Sequence, residues 1–398
     1  MSRLDELLKE LCPNGVEYKK LGDIATISRG GSFQKKDYSE SGVPCIHYGQ
    51  IYTQYNLFVD KTISFIPEEV AKKQKFAEPN DIIMAVTSEN IEDVCKCVAW
   101  LGNEKVAVSG HSAIIHHEQD PRYMVYYLSS EMFAKQKRKF AHGTKVIEVS
   151  PNKLSEALLA VPPLEVQREV VQILDKFTFL SAELTAELTA RRKQYEFYRN
   201  KMLSFSNEIT PMKRLGDTCD MKAGKAISRT LISEVKTEKN NIKCYGGNGL
   251  RGYVDVANES GCFSIIGRQG ALCGNVNFAE GDFYATEHAV VVKPKGEYDS
   301  RFLYHLLTNM NLNQYKSAGA QPGLAVKNIA ELYAPVPQML IQKKIAKVLD
   351  AFDEICSDLN IGLPAEIEAR KKQYEYYRDA LLTFAETGEI IPRQTELN

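Results

Sequence analysis

The sequence predicts an α+β protein made of two similar domains, each followed by a long helix, with the two helices paired as an antiparallel coiled coil. The chain has 398 residues, which is too long for one ordinary domain. Three motifs occur twice in the same order along the chain. Two stretches keep apolar residues in steps of three and four over several heptads, as coiled-coil helices do. Together these observations predict a duplicated fold with pseudo-twofold symmetry.

The repeated motifs mark the front of each domain and both ends of each helix. The pairs are "KKLGDIATISRG" (19–30) with "KRLGDTCDMKAG" (213–224), "VPPLEVQREVVQILDKF" (161–177) with "VPQMLIQKKIAKVLDAF" (336–352), and "RRKQYEFYRNKMLSF" (191–205) with "RKKQYEYYRDALLTF" (370–384). The repeat is far longer than that of a solenoid, which indicates a duplicated domain rather than an array.

The repeats divide the chain into five segments. Short strands bounded by turn residues, followed by a helix, predict an α+β architecture for both domains. We assign a first domain to residues 1–160, a first long helix to 161–206, a second domain to 207–335, a second long helix to 336–386 and a tail to 387–398.

The two long helices are expected to be antiparallel. A helix of roughly 40 residues is ~60 Å long. A compact second domain, with a radius of gyration near ~14 Å, could not join the end of one such helix to the start of a parallel partner. Pro162 and Pro337 stand just before the helices, where proline is tolerated. Gly362 and Pro364 predict a kink or a brief interruption in the second helix.

Composition and motifs argue against several classes of protein. Hydrophobic residues make up 44% of the chain, but no apolar run has the ~20 residues of a membrane helix. Nine scattered cysteines favour a reducing cytoplasm over a disulfide framework, and none of them has zinc-site spacing, so we expect no metal site. The phosphate-loop, dinucleotide-binding and nucleophile-elbow motifs are missing, and so are the adenine-methyltransferase motifs. We therefore expect no catalytic residues.

Glycine-containing polar loops are the best candidates for binding. They combine Arg, Lys, Gln, Asn and Tyr, which are the residues that reach phosphates and base edges, although each loop taken alone could be a solvated turn. The chain has 50 basic and 51 acidic residues, so DNA binding would depend on local clusters or on a partner. The candidates are Arg29, Gln34, Lys35, Lys36, Gln50, Tyr52, Lys137, Arg138, Lys139, His142, Thr144 and Lys145 in the first domain, and Lys222, Lys225, Arg229, Asn248, Arg251, Arg268, Gln269, Lys316 and Gln321 in the second.

The repeated motifs resemble those of the specificity subunits of type I restriction–modification systems. The resemblance lies in the two "LGD" segments, the two V-P…L-D helix entries and the two Q-Y-E-[FY]-Y-R helix ends, and it covers nearly the whole chain. A second proline is usual where Gln338 stands.

The resemblance implies a non-catalytic subunit with two target recognition domains. Each domain would read half of a bipartite, asymmetric double-stranded DNA target, and the helices would set the gap. Two adenine-methylating modification subunits would bind it and connect it to the restriction subunits. S-adenosylmethionine, ATP and Mg would belong to those partners only. The residues expected in the coil or at the partner surface are Tyr195, Tyr198, Tyr374, Tyr377, Arg192, Lys193 and Glu196.

Two other classes of protein stay open at this point. One is a self-sufficient methyltransferase or nuclease, which the missing motifs disfavour. The other is a non-catalytic scaffold with two protein-binding heads and no specific DNA target.

Overall fold

The two long helical segments each contribute to both structural units of the chain. The computed structural model describes residues 2–206, 208–270, 272–317, 323–357 and 362–387. Unit 1 comprises Met1–Glu183 and the chain from Glu368 onwards, and unit 2 comprises Leu184–Ile367. Each unit therefore combines one globular head with parts of both helical segments.

Unit 1 contains an antiparallel sheet with one parallel edge strand, a smaller mixed sheet and short helices. Its helices are α1 (Arg3–Leu11), α2 (Leu21–Ile24), α3 (Tyr48–Thr53), α4 (Glu68–Ala71), α5 (Pro121–Leu128), α6 (Glu131–Phe140), α7 (Pro151–Leu154) and the first part of α8 (Leu164–Met202), with a 3-10 turn at Lys35–Asp37. Its strands are β1 (Tyr18–Lys20), β2 (Ala25–Arg29), β3 (Val43–Ile46), β4 (Phe58–Val59), β5 (Ser64–Ile66), β6 (Lys75–Ala77), β7 (Ile82–Ala85), β8 (Thr87–Ser88), β9 (Cys97–Trp100), β10 (Val106–Val108), β11 (Ser112–His117), β12 (Ile147–Glu148) and β13 (Leu158–Ala160).

Unit 2 repeats this plan with fewer strands. Its helices are the last part of α8, α9 (Leu215–Thr218), α10 (Ser300–Asn309), α11 (Val326–Ala330) and α12 (Met339–Ser357), with 3-10 turns at Arg229–Leu231 and Leu312–Tyr315. Its strands are β14 (Met212–Arg214), β15 (Cys219–Ala223), β16 (Ile242–Gly246), β17 (Gly249–Val254), β18 (Glu259–Ser260), β19 (Phe263–Gly267), β20 (Val276–Ala279), β21 (Asp282–Ala285), β22 (Ala289–Pro294) and β23 (Tyr333–Pro335). The last helix of the chain, α13 (Leu363–Thr387), belongs mainly to unit 1.

Strand pairing confirms the duplication seen in the sequence. In unit 1 the main sheet has the order β2-β11-β7-β9-β4, and in unit 2 it has the order β15-β22-β19-β20. The second sheets are β5-β3-β10-β6 and β17-β16-β21-β18, and β3 pairs with β10 in parallel as β16 does with β21. The ladder β1-β13 corresponds to β14-β23. The buried runs in β7, β11, β19 and β22 are nearly all apolar, because these central strands are covered on both faces.

A buried glutamine explains the repeated V-P…Gln motif at the start of each long helix. The Nε2 group of Gln167 donates to the Pro162 carbonyl at 2.8 Å, and its Oε1 accepts from the backbone N–H of Asp120 at 3.0 Å. Gln342 makes the matching bonds in unit 2, to the Pro337 carbonyl at 2.8 Å and from the Asp299 N–H at 2.8 Å. Both glutamines have no exposed surface, so each fixes the helix entry against the head.

The long helices pack into the cores of the heads as well as against each other. Unit 1 buries Val166, Val170 and Leu174 of α8 together with Leu381 and Leu382 of α13. Unit 2 buries Ala346 and Leu349 of α12, with Tyr195 and Met202 of α8 packed against them. Much of the stability of these helices therefore comes from the heads.

The first helical segment is continuous, whereas the second is divided. Helix α8 has 39 residues without a break. The second segment forms α12 and α13, with Gly362 in a bend and Pro364 at the second position of α13, which agrees with the predicted interruption. Of the predicted tail, only Thr387 lies within the described residues. In the part of the chain that is described, every helix is too short or too polar to span a bilayer.

Candidate nucleic-acid interface

In unit 2, three of the predicted binding residues line one open cleft. Asn248 lies in the turn before β17, Arg251 lies in β17 and Gln269 follows β19, and the three share a cavity of about 710 Å³. Glu287 and His288, which the sequence analysis did not single out, line the same cavity. The cleft thus combines amide, guanidinium, carboxylate and imidazole groups, which can donate to and accept from base edges.

Glycines allow the loops of this cleft to approach one another closely. Gly249 has φ +92°, a conformation that favours glycine, at the turn between β16 and β17. A Cβ atom on Gly267 would overlap the carbonyl oxygen of Gly247. Main-chain bonds then fix the loops: Arg268 N–H donates to the His288 carbonyl at 2.9 Å, and Leu324 N–H donates to the Arg268 carbonyl at 2.8 Å.

The remaining candidates of unit 2 lie outside the lining of the cleft. Lys222, Lys225, Arg229 and Lys316 are exposed. Arg268 directly precedes Gln269 and is half-buried, and Gln321 lies outside the described residues.

In unit 1, most of the predicted residues are exposed, as a DNA-contacting surface requires. Arg29 is anchored through Nε to the Gly110 carbonyl at 2.7 Å and through Nη1 to Glu148 at 3.0 Å. Arg138 pairs with Glu131 at 2.8 Å. The other exposed candidates are Gln34, Lys35, Lys36, Lys139, His142, Thr144 and Lys145.

Three candidates of unit 1 have structural tasks instead. Gln50 is buried, accepts from the His47 N–H at 2.9 Å and donates to Ser64 at 2.7 Å. The hydroxyl of Tyr52 donates to the Thr87 carbonyl at 2.8 Å. Lys137 donates to the carbonyls of Glu92 and Val94 at 2.6 and 2.8 Å, and burial lowers its pKa. Their polar groups are already used within the fold, which argues against direct DNA contact.

The strand registers identify the positions in unit 1 that match the cleft of unit 2. In the main sheets, Ser112 of β11 pairs with Ala85 of β7 in unit 1, and Ala289 of β22 pairs with Gly267 of β19 in unit 2. In the second sheets, Ile46 of β3 pairs with Val108 of β10 in unit 1, and Tyr245 of β16 pairs with Ala285 of β21 in unit 2. The positions that correspond are Tyr48 with Gly247, Thr87 with Gln269, Gly110 with Glu287, and His111 with His288.

The matching region of unit 1 is aromatic and closed by internal contacts. The rings of Tyr48 and His111 are 4.9 Å apart, and Nδ1 of His111 lies 3.1 Å from Thr87 Oγ1. His47 also stacks on Tyr48, and burial lowers the pKa of His47 to about 4, so this imidazole is neutral near pH 7. The two units therefore present different chemistry on the same framework.

A polar network joins the head of unit 2 to both of its helices. Asp350 of α12 accepts from Arg301 at 2.6 and 2.9 Å and from Nε2 of His305 at 2.7 Å. Because Nε2 carries the proton, Nδ1 of His305 accepts from the Tyr195 hydroxyl of α8, at 3.2 Å. The guanidinium of Arg199 lies 5.3 Å from the centre of the Tyr195 ring. Burial lowers the pKa of His305 even though Asp350 opposes this, so the ring is neutral near pH 7.

Unit 1 has a corresponding junction, although Thr178 stands where unit 2 has Asp353 and a second position also differs. Asp175 of α8 pairs with Arg122 and accepts from the Tyr126 hydroxyl at 2.7 Å. Tyr126 therefore takes the place of His305, and its ring lies 6.2 Å from Tyr374 of α13. Arg378 covers the Tyr374 ring at 5.5 Å, as Arg199 covers Tyr195.

The second tyrosine of each Q-Y-E-[FY]-Y-R motif stacks on the phenylalanine of the other copy's L-D-x-F motif. Tyr377 stacks on Phe177 at 5.1 Å in unit 1, and Tyr198 stacks on Phe352 at 5.7 Å in unit 2. Each unit thus joins the start of one helical segment to the end of the other. In unit 2, the charge of Arg192, which precedes Tyr198, acts on Cys356, which follows Phe352. The helices are therefore antiparallel there.

The aromatic residue between the two tyrosines points into solvent in both copies. Phe197 is 60% exposed and Tyr376 is 55% exposed. Arg192, Lys193 and Glu196 are also exposed on this part of α8. Sequence spacing could have identified this residue, since Phe197 and Tyr376 fall between the seam positions of their helices. Within the described parts of the chain, no cluster of three or more His, Cys, Asp or Glu could hold a metal ion.

Comparison with known families identifies the fold. The model of the type I restriction modification DNA specificity domain matches the chain twice, over residues 13–191 and 208–369. The chain belongs to this family. Its specificity-domain relatives include the EcoprrI specificity subunit of Escherichia coli, which is 36% identical over 90% of this chain and 93% of the relative. The EcoR124I/EcoR124II specificity subunit of Escherichia coli is 32% identical over 56% of this chain and 60% of the relative.

Solved structures of the family have the same fold. The S subunit of a type I system from M. genitalium matches with a TM-score of 0.60 and 16% identity, over 93% of this chain and 97% of that one. A chain from a study of complex assembly in a type I system matches with a TM-score of 0.56 and 16% identity, over 93% of this chain and 98% of the other. The α+β architecture of two similar domains with long helices, predicted from the sequence, is confirmed.

Proposed function

We propose that this chain is the DNA sequence-recognition subunit of a type I restriction–modification complex and that each head reads one half of a bipartite target. The main support is the double match to the specificity domain over most of the chain. The cleft of unit 2 adds a chemical reason, since it collects Asn248 and Arg251 from the β16–β17 hairpin and Gln269 from the loop after β19. These are the side-chain types that pair with adenine and guanine edges. The two heads carry different groups at matching positions, as the recognition of an asymmetric target requires.

Catalysis and its cofactors belong to the partners in this proposal. S-adenosylmethionine would be bound by modification subunits, and ATP and Mg by restriction subunits. The chain itself would position them on DNA in the cytoplasm, and its long helices would set the gap between the half-sites.

We propose that two modification subunits dock on the two copies of the Q-Y-E-[FY]-Y-R motif. An exposed aromatic residue costs free energy in water and is a common anchor in interfaces. Phe197 and Tyr376 occupy equivalent positions in the two copies, so they suit two identical partners. Lys371 and Lys372 flank Tyr376 much as Arg192 and Lys193 flank Phe197, which favours an acidic rim on the partner.

Phe197→Ala should reduce the number of bound modification subunits from two to one. The double variant with Phe197→Ala and Tyr376→Ala should bind no modification subunit. Mass photometry of the reconstituted complex measures this. Phe179→Ala is the matched control, because Phe179 is 68% exposed on the same helix but lies outside the repeated motif. Equal losses for Phe179→Ala and Phe197→Ala would contradict the docking surface.

The experiment that tests the function is methylome sequencing of a host expressing this chain with and without its modification partner. A bipartite adenine-methylated motif should appear only when both are present, and it would report both half-sites and the gap. An active partner that yields no such motif would contradict the proposal and favour a protein scaffold.

A further inference from the structure

Several polar atoms around the cleft of unit 2 are buried without a hydrogen-bond partner. These atoms are Oγ1 of Thr286, Oε2 of Glu287, Nδ1 of His288 and Nε of Arg268. Buried polar atoms are normally paired, so this group of unpaired atoms is unusual and marks the edge of the cleft as a candidate site for a ligand. Glu287 and His288 line the cleft directly.

The side chain of Glu287 is 39% exposed, so its carboxylate can be reached from the cleft that it lines. Its Oε1 lies 3.2 Å from Nε2 of His288, which leaves Oε2 as the unpaired acceptor. An acidic group repels phosphates, so it is unfavourable on a DNA-contacting surface unless it meets a hydrogen-bond donor. In the major groove the donors are the exocyclic amino groups of cytosine and adenine, and glutamate is a known partner of the cytosine N4 amino group.

We propose that Glu287 is a specificity-determining residue that accepts a hydrogen bond from the exocyclic amino group of a cytosine or an adenine in the half-site read by unit 2. This inference rests on the proposed function and adds one recognised chemical group to it. A guanine or thymine at that position would place a carbonyl oxygen against the carboxylate and be rejected.

The matching position of unit 1 makes the inference specific to one half-site. Gly110 stands there, and its carbonyl accepts from Arg29 at 2.7 Å. Unit 1 therefore has no carboxylate at this place. The half-site read by unit 1 serves as an internal control in the same molecule.

The test compares the methylated motifs made by the full complex with wild-type chain, Glu287→Ala and Glu287→Gln. With Glu287→Ala, one position of one half-site should lose its preference for cytosine or adenine by about 10- to 100-fold, while the other half-site and the gap stay unchanged. Glu287→Gln keeps an acceptor oxygen, so it should retain more of the preference than Glu287→Ala. Glu280→Gln, which changes an exposed acid of the same unit outside the cleft, should leave the motif intact.

A binding experiment identifies the base and does not depend on the stability of the variants. At the affected position, cytosine or adenine is replaced in a synthetic duplex by an analogue that lacks the amino group. The wild-type complex should bind this duplex about 10- to 100-fold more weakly, and Glu287→Ala should not distinguish the two duplexes.

The role of Glu287 would be contradicted if both Glu287 variants left the methylated motif unchanged, or if the wild-type complex bound the two duplexes equally. Either result would leave the proposed DNA recognition intact. The proposed function itself fails only if the wild-type complex makes no bipartite motif. The two failures are therefore distinguishable.

Discussion

The two units are most alike where each head meets the long helices and least alike in the loops at the cleft of unit 2 and the matching loops of unit 1. At the junction, an arginine, an aspartate, a tyrosine and a second arginine recur in both copies, whereas Tyr126 and Thr178 of unit 1 correspond to His305 and Asp353 of unit 2. At the cleft and the matching region of unit 1, both units have a histidine, His288 and His111. The other equivalent positions differ: Tyr48, Thr87 and Gly110 of unit 1 correspond to Gly247, Gln269 and Glu287 of unit 2. The junction keeps its residues because it must hold two helices on one head, whereas the loops are free to change with the target.

The junction also explains why the chain repeats its aromatic and basic helix end. Tyr195 and Tyr374 each close a network on the head, and Tyr198 and Tyr377 each stack on a phenylalanine of the other helical segment. The aromatic residue between each pair stays exposed. The three aromatic positions of the motif therefore have three different environments, and these environments recur in both units.

The largest effect in this comparison is expected from Asp350→Ala. This change removes the acceptor of the buried His305 and leaves the guanidinium of Arg301 with Asp353 at 4.0 Å as its carboxylate partner. We expect unit 2 to lose about 2–3 kcal/mol of its free energy of unfolding, less than for a fully buried pair because the Asp350 side chain is 34% exposed. The equivalent Asp175→Ala should cost unit 1 less, since the Tyr126 hydroxyl has Thr178 at 3.3 Å as a second partner.

Each unit can be followed separately. The chain has a single tryptophan, and Trp100 is buried in unit 1, so its fluorescence reports unfolding of that unit. Hydrogen exchange of α10 reports on unit 2. The conservative Asp350→Asn keeps an acceptor oxygen and should recover part of the loss. Equal costs for the alanine changes in both units would show that the histidine has no particular dependence on the aspartate.

A smaller effect is expected when the close approach in the cleft is disturbed. Gly267→Ala would place a Cβ atom against the Gly247 carbonyl, and we expect a loss of about 1–3 kcal/mol in unit 2 with weaker DNA binding. The matching position of unit 1 already holds Ala85, so Ala85→Gly should cost only about 1 kcal/mol through added backbone freedom. Urea unfolding and DNA titrations measure both. A harmless Gly267→Ala would mean that the loops of unit 2 adjust freely.

The large-scale features of the fold could be predicted from the sequence because they depend on periodicity and repetition. The division into two similar domains and the antiparallel pairing within unit 2 followed from repeated motifs and helix length. The interruption near Gly362 followed from Gly and Pro chemistry. These signals are local in sequence, so one chain is enough to detect them.

The site residues could be predicted only in part. Asn248, Arg251 and Gln269 do share a cleft, but Gln50 was misplaced because a glutamine that caps a short helix looks like a surface glutamine in a polar loop. Glu287 was not among the predicted residues because an acidic side chain repels phosphates and is not typical of a DNA-binding loop, although the repeated "EHAVVVK" and "GHSAIIH" segments mark its position. Which loops meet depends on strand register, and the sequence does not specify that.

The smallest effect concerns pH, and it tests the histidine that unit 2 has at the junction in place of a tyrosine. Burial lowers the pKa of His305 below its usual 6.5, so the unfolded chain binds a proton more readily than the folded unit. Stability of unit 2 should therefore fall as the pH drops below 6.5, by at most about 1.4 kcal/mol per pH unit. Tyrosine stands at the matching place in unit 1, so His305→Tyr should flatten this slope between pH 7 and 5. The pKa of Asp350 is lowered too, because the bonds from Arg301 and His305 outweigh burial, so titration of Asp350 changes the stability only at more acidic pH.

Hydrogen exchange of α10, corrected for the intrinsic pH dependence of exchange, measures the slope. An unaltered slope in His305→Tyr would mean that another group of unit 2 titrates and that the two junctions respond to acid in the same way.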